Sequence, residues 1–368
     1  MLELQSELES IQKKGLWRTT QPAIGIDFAS NDYLGFSRSS KIRSELIKFL
    51  NSQPSLGSTG SRLISGDSSL HQDLESFIAT TFRSESALLF GSGYLANLGL
   101  MTALGSLKGA EFFSDEYNHA SLIDGMRLTK SKIHIFNHNN LNHLEELLLQ
   151  NNANIKIIVT ESVFSMKGDS PDFTQLLALA EKFHAFLVFD EAHATGVCGK
   201  NGLGLISNIT SSTHQIASIH TGGKALGAYG AFIVCNNNLR DLMINKSRSF
   251  IYSTALPPII LHQLYLALIE IQNQNQKIQL EKNIIQLKEF FKEFKLVWNH
   301  SHIGFVSIPT NEKAIAASEY LLNRGLHVRA IRSPTVPPGH EGLRITLKSF
   351  HNETELRLLA ESLSQVNT

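Results

Sequence analysis

The middle of the chain alternates short apolar runs with helix-length amphipathic segments. Apolar or β-branched runs lie at Ala87–Phe90, Ala110–Phe113, Ile133–Phe136, Ile155–Thr160, Ala185–Asp190, Ile216–His220 and Gly230–Cys235. Several are apolar throughout rather than at every second position, as strands covered on both faces are. Between them, Leu122–Thr129, Leu141–Leu149 and Phe173–His184 carry helical patterns. This alternation predicts an α/β fold with a mostly parallel central sheet flanked by helices. Ligands of such sheets bind beyond the carboxyl ends of the strands, so the chemistry is expected just after each run.

Beyond Tyr252 the texture changes. Pro257-Pro258 opens a long helical run from Ile259 to about Phe294, followed by a short strand near Phe305–Ile308 and a helix near Ala314–Leu322. A strand pair is expected around Val328 and Arg344–Leu347, separated by the turn Ser333-Pro-Thr-Val-Pro-Pro338, and the helix Glu353–Leu363 closes the chain. These elements predict a smaller α+β C-terminal domain. The expected division is 1–41 for an N-terminal segment packing with the small domain, 42–256 for the large domain and 257–368 for the small one.

Composition changes this picture little. The chain has 368 residues, 33 basic and 33 acidic, for a formal net charge of zero. Proteins that rely on many phosphate contacts with nucleic acid need a basic excess, so zero net charge argues against that class. Hydrophobic residues make up 42%, enough to bury a substantial core, and global disorder is excluded. Two cysteines, Cys198 and Cys235, cannot form a disulfide framework, which favours a reducing cytoplasmic setting. The N-terminal stretch carries acids and no apolar core of a signal peptide. Ala87–Leu107 lacks charge, yet Gly91, Gly93, Asn97, Gly99 and Gly105 interrupt it. A buried strand, a glycine turn and a packed helix account for it better than a membrane span.

Three motif matches fail on their context. Asp190-Glu-Ala-His193 spells a helicase box, but no upstream Gly-x-x-x-x-Gly-Lys-Ser/Thr loop accompanies it. Gly91-Ser-Gly93-Tyr-Leu-Ala96 fits a dinucleotide fingerprint, with Glu111 about 20 residues on as a ribose-binding acid. Taken alone the match is weak, although bare amides at a helix start favour a phosphate. His134, His138 and His143 form a loose cluster on different elements, so no metal site is expected.

An electron-sink cofactor makes a more demanding set of requirements: an amine in a lean loop, a carboxylate at a strand end, a phosphate cradle and a group over the ring. Lys224 lies in Thr221-Gly-Gly-Lys-Ala-Leu-Gly227 directly after Ile216–His220. Asp190 ends its strand and His193 follows three residues later. Gly93 and Tyr94 open the helix after Ala87–Phe90, and His119 follows Ala110–Phe113. Singly, each has a structural explanation as a solvated lysine or a helix cap. Jointly, at strand carboxyl ends, they point to one site.

Asn31-Asp-Tyr-Leu-Gly35, Gly57-Ser-Thr-Gly-Ser-Arg62, Asp115-Glu-Tyr-Asn-His-Ala-Ser121, Ser162-Val-Phe-Ser-Met-Lys-Gly-Asp169, Asp190-Glu-Ala-His-Ala-Thr-Gly196 and Gly223-Lys-Ala-Leu-Gly227 resemble the α-oxoamine synthases. These are pyridoxal-phosphate enzymes of aminotransferase fold type I. The motifs run in family order from about residue 27 to 347. Two departures are Gly222, where the family often carries a bulky apolar residue, and Ser170-Pro171-Asp172, where an apolar run is usual.

The resemblance implies that Lys224 holds pyridoxal 5'-phosphate and serves as base, that Asp190 pairs with the ring nitrogen, and that His193 bonds the phenolic oxygen. His119 would stack on the ring, while Ser165, Thr221, Gly93 and Tyr94 would contact the cofactor. Thr254 would reach the phosphate of a neighbouring subunit, implying a homodimer with shared sites. Arg344 would clamp an amino-acid carboxylate, with Asn31, Thr335 and Arg18 as further substrate contacts. The signatures Tyr252-Ser-Thr-Ala-Leu-Pro-Pro258, Arg332-Ser-Pro-Thr-Val-Pro337 and Leu343-Arg-Ile-Thr-Leu347 resemble the branch that joins L-alanine to an acyl-CoA thioester. Branches using glycine or serine share the other motifs, and a non-catalytic partner subunit is the alternative of a different class.

Overall fold

The computed structural model describes residues 2–14, 16–20, 22–209, 215–299 and 301–366. By internal packing the chain forms two units, one of Leu34–Ser165 with Asp169–Lys277, the other of Met1–Tyr33, Met166–Gly168 and Ile278–Thr368. These boundaries differ from the expected 41/42 and 256/257.

The larger unit is built on a seven-stranded sheet of β1 (Ser86–Phe90), β2 (Ala110–Asp115), β3 (Ile133–Phe136), β4 (Ile155–Glu161), β5 (Phe186–Asp190), β6 (Ile216–Thr221) and β7 (Ala231–Cys235). Their spatial order is β1-β7-β6-β5-β4-β2-β3, and only β7 runs antiparallel to its neighbours. The helices α1 (Gly93–Leu104), α2 (Ala120–Arg127), α3 (Leu141–Leu149) and α4 (Phe173–Lys182) follow β1 to β4 in turn. Side chains alternate between the two faces of a strand. Phe112, Ile157, Val159 and Val188 therefore join α1 and α2 in one apolar cluster. Phe113, Ile158, Leu187 and Phe189 join α3 and α4 in the other. Burial on both faces explains why the strand sequences are apolar at successive positions.

Side-chain caps fix where the helices begin. Ser92 accepts from the Leu95 amide at the start of α1, and Asn140 caps α3 through the His143 amide. Asp172 accepts from the Gln175 amide at 3.0 Å, so the departure at 170–172 supplies the cap of α4.

The long run expected from Ile259 to Phe294 is two helices, α5 (Pro258–Gln272) and α6 (Asn275–Glu293). Gln274 adopts a left-handed backbone with φ 56°, which a continuous helix does not admit. The apolar periodicity runs across this break, and so does not reveal it.

In the smaller unit, β8 (Ile303–Ser307), β9 (Arg329–Ile331) and β10 (Gly342–Thr346) form an antiparallel sheet in the order β9-β10-β8. The helices α7 (Asn311–Asn323) and α8 (Glu353–Ser364) belong to the same unit, and α8 starts in a capping box between Asn352 and Glu355. The N-terminal segment is tied in by a two-residue parallel pairing of Ile26–Asp27 with Leu326–His327. Lys348, wholly buried, reinforces that tie: its ammonium lies 3.1 Å from Asp27 Oδ1 and donates to the Asp27 carbonyl and, at 3.1 Å, to Thr346 Oγ1.

Candidate active site

Strand ends of the larger unit converge on a cavity of about 220 Å³. Lys224, Asp190, His193, His119, Gly93, Tyr94 and Thr221 all line it. Sequence reasoning placed these seven at one site, and the fold brings them to one cavity.

Each is held by local backbone geometry. Asp190 is the last residue of β5. Its Oδ1 accepts from the Ala192 amide at 2.9 Å, which turns the chain sharply beyond the strand. The turn presents His193, and the Ala194 and Thr195 amides both bond the Glu191 carbonyl. Glu191 itself is buried and accepts from the amides of Leu205 (3.0 Å) and Ile206 (2.7 Å). Burial pushes its carboxyl up to about 7 against the pull of those amides.

Lys224 lies in the loop between β6 and β7. The Gly222 amide bonds the Gly230 carbonyl and the Ala228 amide bonds the Gly222 carbonyl, each at 2.8 Å, closing the loop on itself. A Cβ on Gly222 would come within 2.6 Å of the Tyr229 carbonyl oxygen and 2.7 Å of Leu264, so no side chain fits there. The departure from the family pattern at Gly222 is thus matched by a loop that leaves no room for a side chain there. Lys224 Nζ then sits 2.8 Å from His193 Nε2.

The wall opposite is α1. Gly93 approaches Thr221 so closely that a Cβ would lie 2.5 Å from Thr221 Cγ2. Thr221 Oγ1 is buried and has no hydrogen-bond partner among the described residues. An unpaired hydroxyl beside the open amides of a helix start fits an anionic group such as a phosphate. The Tyr94 hydroxyl is fixed by Asp124 Oδ2 at 2.5 Å. His119 caps α2, its Nδ1 2.7 Å from Ser121 Oγ. Burial lowers the His119 pKa, Lys224 lowers it further, and Asp190 and Asp124 oppose the shift.

Among the cavity residues not singled out from sequence as site residues are Asn97, Ser121 and Glu161. Asn97 Nδ2 donates to Asp190 Oδ2 at 2.7 Å and to Ser121 Oγ at 2.8 Å, connecting the strand-end carboxylate to the histidine cap. Asn97 lies one helical turn after Gly93, in a helix whose only other polar side chains are those of Tyr94 and Thr102. Glu161 pairs in register with Asp190 on the adjacent strand.

Ser165 and Thr254 do not line the cavity. Ser165 is half-buried just beyond β4, and Thr254 is exposed, bridged to Ser61. The four expected substrate residues lie in the smaller unit as two bonded pairs. Arg18 Nη2 donates to Thr335 Oγ1 at 3.2 Å, beside a cavity of about 550 Å³ that Arg329 and Arg332 also line. Arg344 Nη2 donates to Asn31 Oδ1 at 3.0 Å.

The competing motifs are absorbed by structure. Glu111 lies at the amino end of β2, away from where a ribose would bind, and pairs with His134 at 2.7 Å and with Asn151 at 2.7 Å. His138 bridges Asp115 (2.9 Å) and Asp169 (2.6 Å), and His143 Nδ1 accepts from the Asn137 amide. Among the described residues no group of three or more His, Cys, Asp or Glu could hold a metal ion, and no helix is long and apolar enough to cross a membrane.

Residues 23–363 match the model of the family aminotransferase class I and II. An 8-amino-7-oxononanoate synthase of Polaromonas naphthalenivorans is 38% identical over 357 residues, covering 92% of this chain and 86% of its own. The crystal structure of 8-amino-7-oxononanoate synthase from Francisella tularensis is similar with a TM-score of 0.78 at 30% identity, covering 93% of this chain and 97% of that one. The serine palmitoyltransferase of Sphingomonas wittichii shares the fold, with a TM-score of 0.89 at 24% identity over 99% of this chain and 96% of that one.

Proposed function

Because the chain belongs to the aminotransferase class I and II family and, within it, to the α-oxoamine synthases, we propose that it is an 8-amino-7-oxononanoate synthase. Its reaction would join L-alanine to 6-carboxyhexanoyl-CoA, giving 8-amino-7-oxononanoate, CoA and carbon dioxide, a step of biotin biosynthesis. The chain is a pyridoxal-phosphate-dependent acyltransferase.

The observation that carries this reading is the pairing of Lys224 Nζ with His193 Nε2 at 2.8 Å, in a cavity that Asp190 also lines. Bound there, the cofactor supplies an electron sink for negative charge developing at the α-carbon of the amino acid. Lys224 would hold it covalently and, once released, accept the α-proton at Nζ. His193, within hydrogen-bond reach, orients that amine. Asp190, fixed through both oxygens by Asn97 and the Ala192 amide, would keep the ring nitrogen protonated. The start of α1 at Gly93 and the free Thr221 hydroxyl suit the phosphate, and His119 at the cavity wall would cover the ring.

Arg344, with Asn31 bonded to it, would take the amino-acid carboxylate, and Arg18 with Thr335 the far carboxylate of the acyl chain. Ser165 would complete the cofactor contacts. The exposed position of Thr254 suits a residue that serves a second copy, in a cytoplasmic homodimer.

The test is spectroscopic and chemical. The purified protein should show a visible band that borohydride abolishes, and Lys224→Ala should lose both the band and turnover. Alanine with 6-carboxyhexanoyl-CoA should give a product of the mass of 8-amino-7-oxononanoate. A preference for glycine or serine with another acyl-CoA would assign a different branch of the family, and absence of the band would overturn the reading.

A further inference from the structure

Glu161 is a carboxyl group that the proposed chemistry does not use. It ends β4 in register with Asp190 at the end of β5, and both line the same cavity. The residue is buried, and its Oε1 has no hydrogen-bond partner among the described residues. Asp190 differs: Oδ1 accepts from the Ala192 amide and Oδ2 from Asn97. Two carboxyl groups on adjacent strand ends in a buried setting cannot both carry charge cheaply. The proton belongs on the one without a donor at its free oxygen. An ionised Glu161 would leave a desolvated, uncompensated charge, which is far costlier than an orphaned neutral acid.

The surrounding groups agree. Burial raises the Glu161 pKa well above the ordinary carboxylate range, and Asp190 and Asp115 push it in the same direction. Lys224 and the His119 amide oppose them without reversing the outcome.

We propose that Glu161 is a further positioning residue of this site, one that keeps a proton so that the Lys224 amine meets a single carboxylate in the cavity, that of Asp190, instead of two. A second anion would favour the ammonium form of Lys224 and so withdraw the lone pair that the imine chemistry needs. Glu161 thus acts through Lys224, and this inference rests on the role proposed above for that lysine.

The experiment uses the holoenzyme. In protein carrying carbon-13 at the glutamate carboxyl, the resonance missing from E161Q should have the chemical shift of a protonated acid and stay constant from about pH 6 to about pH 8. A carboxylate shift in that range overturns the proposal. In E161Q a neutral group replaces a neutral group, so the pH midpoint of the visible band should stay within about half a unit of the wild type. A larger shift is the mark of a lost charge and also overturns it. Should E161Q fail to fold, the infrared carbonyl stretch of a protonated acid, moved by carbon-13 glutamate in wild-type protein, answers the same question, and its absence overturns the proposal. A wild-type protein without a reducible band would sink the functional reading instead, while the carboxyl resonance still reports on Glu161.

Discussion

Asn97 donates to Asp190 Oδ2 at 2.7 Å from within a mostly apolar helix, and the same amide group reaches Ser121 Oγ at 2.8 Å. One side chain thereby couples the carboxylate of β5 to the residue that bonds His119. Replacing Asn97 by Ala leaves Asp190 Oδ2 without this donor in a buried setting. Hydrogen bonds to charged groups contribute about 1.5–3 kcal/mol. Cofactor affinity, followed by titrating the apoprotein in absorbance, should therefore weaken by about 10- to 150-fold in N97A. An unchanged affinity would show that Asp190 is positioned by the Ala192 amide alone.

The histidine bridge predicts a pH dependence of stability. Burial lowers the His138 pKa, but hydrogen bonds and charge from Asp115 and Asp169 outweigh it and raise it to about 9. A group whose pKa rises on folding stabilises the folded state fully below its unfolded value, and that contribution is lost as pH rises through the folded one. The contribution of His138 should thus be complete below about pH 6.5 and disappear through about pH 9. Wild-type Tm should fall by a few degrees more than that of H138Q between about pH 7 and about pH 10. Parallel curves for the two proteins would contradict this.

In the smaller unit, the buried ammonium of Lys348 is lowered to about 8 by burial, against the opposing attraction of Asp27. Removing one partner of a buried ion pair leaves an uncompensated charge and typically costs about 3–5 kcal/mol. D27A should lose about that much in urea unfolding, and adding K348M should restore a large part of it. A double variant no better than D27A would place the effect in the hydrogen bonds that Asp27 Oδ1 accepts from the Ala29 and Ser30 amides, at 2.9 and 2.8 Å.

The legible part of this molecule is the part where chemistry and chain position coincide. Asp190, His193 and Lys224 lie at or just beyond the ends of strands whose apolar runs are unmistakable, so their convergence on one cavity can be read from the sequence. Asn97 and Glu161 are less visible for physical reasons. Asn97 sits inside a helix whose periodicity signals only packing, and Glu161 looks like the end of a strand until its register with Asp190 is known. The pairs Arg18–Thr335 and Asn31–Arg344 join residues more than 300 positions apart, a distance across which no local pattern carries information. The break at Gln274 escaped notice because residues with a positive φ need not be Gly, and Asn-Gln-Asn gives no strong punctuation.

The pairing of Ile26–Asp27 with Leu326–His327 also sets an order of assembly. The strands β1 to β7 and their helices lie between residues 86 and 235, so nearly all of their contacts are available before the last quarter of the chain leaves the ribosome. The N-terminal segment has no such early partner: its strand must wait for one made 300 positions later. Synthesis at about 5–20 residues per second makes that wait about 15–60 s. Until Leu326–His327 and Lys348 have been made, the Ile26–Asp27 strand lacks its neighbour and Asp27 its ammonium, so the smaller unit cannot close before synthesis has passed them.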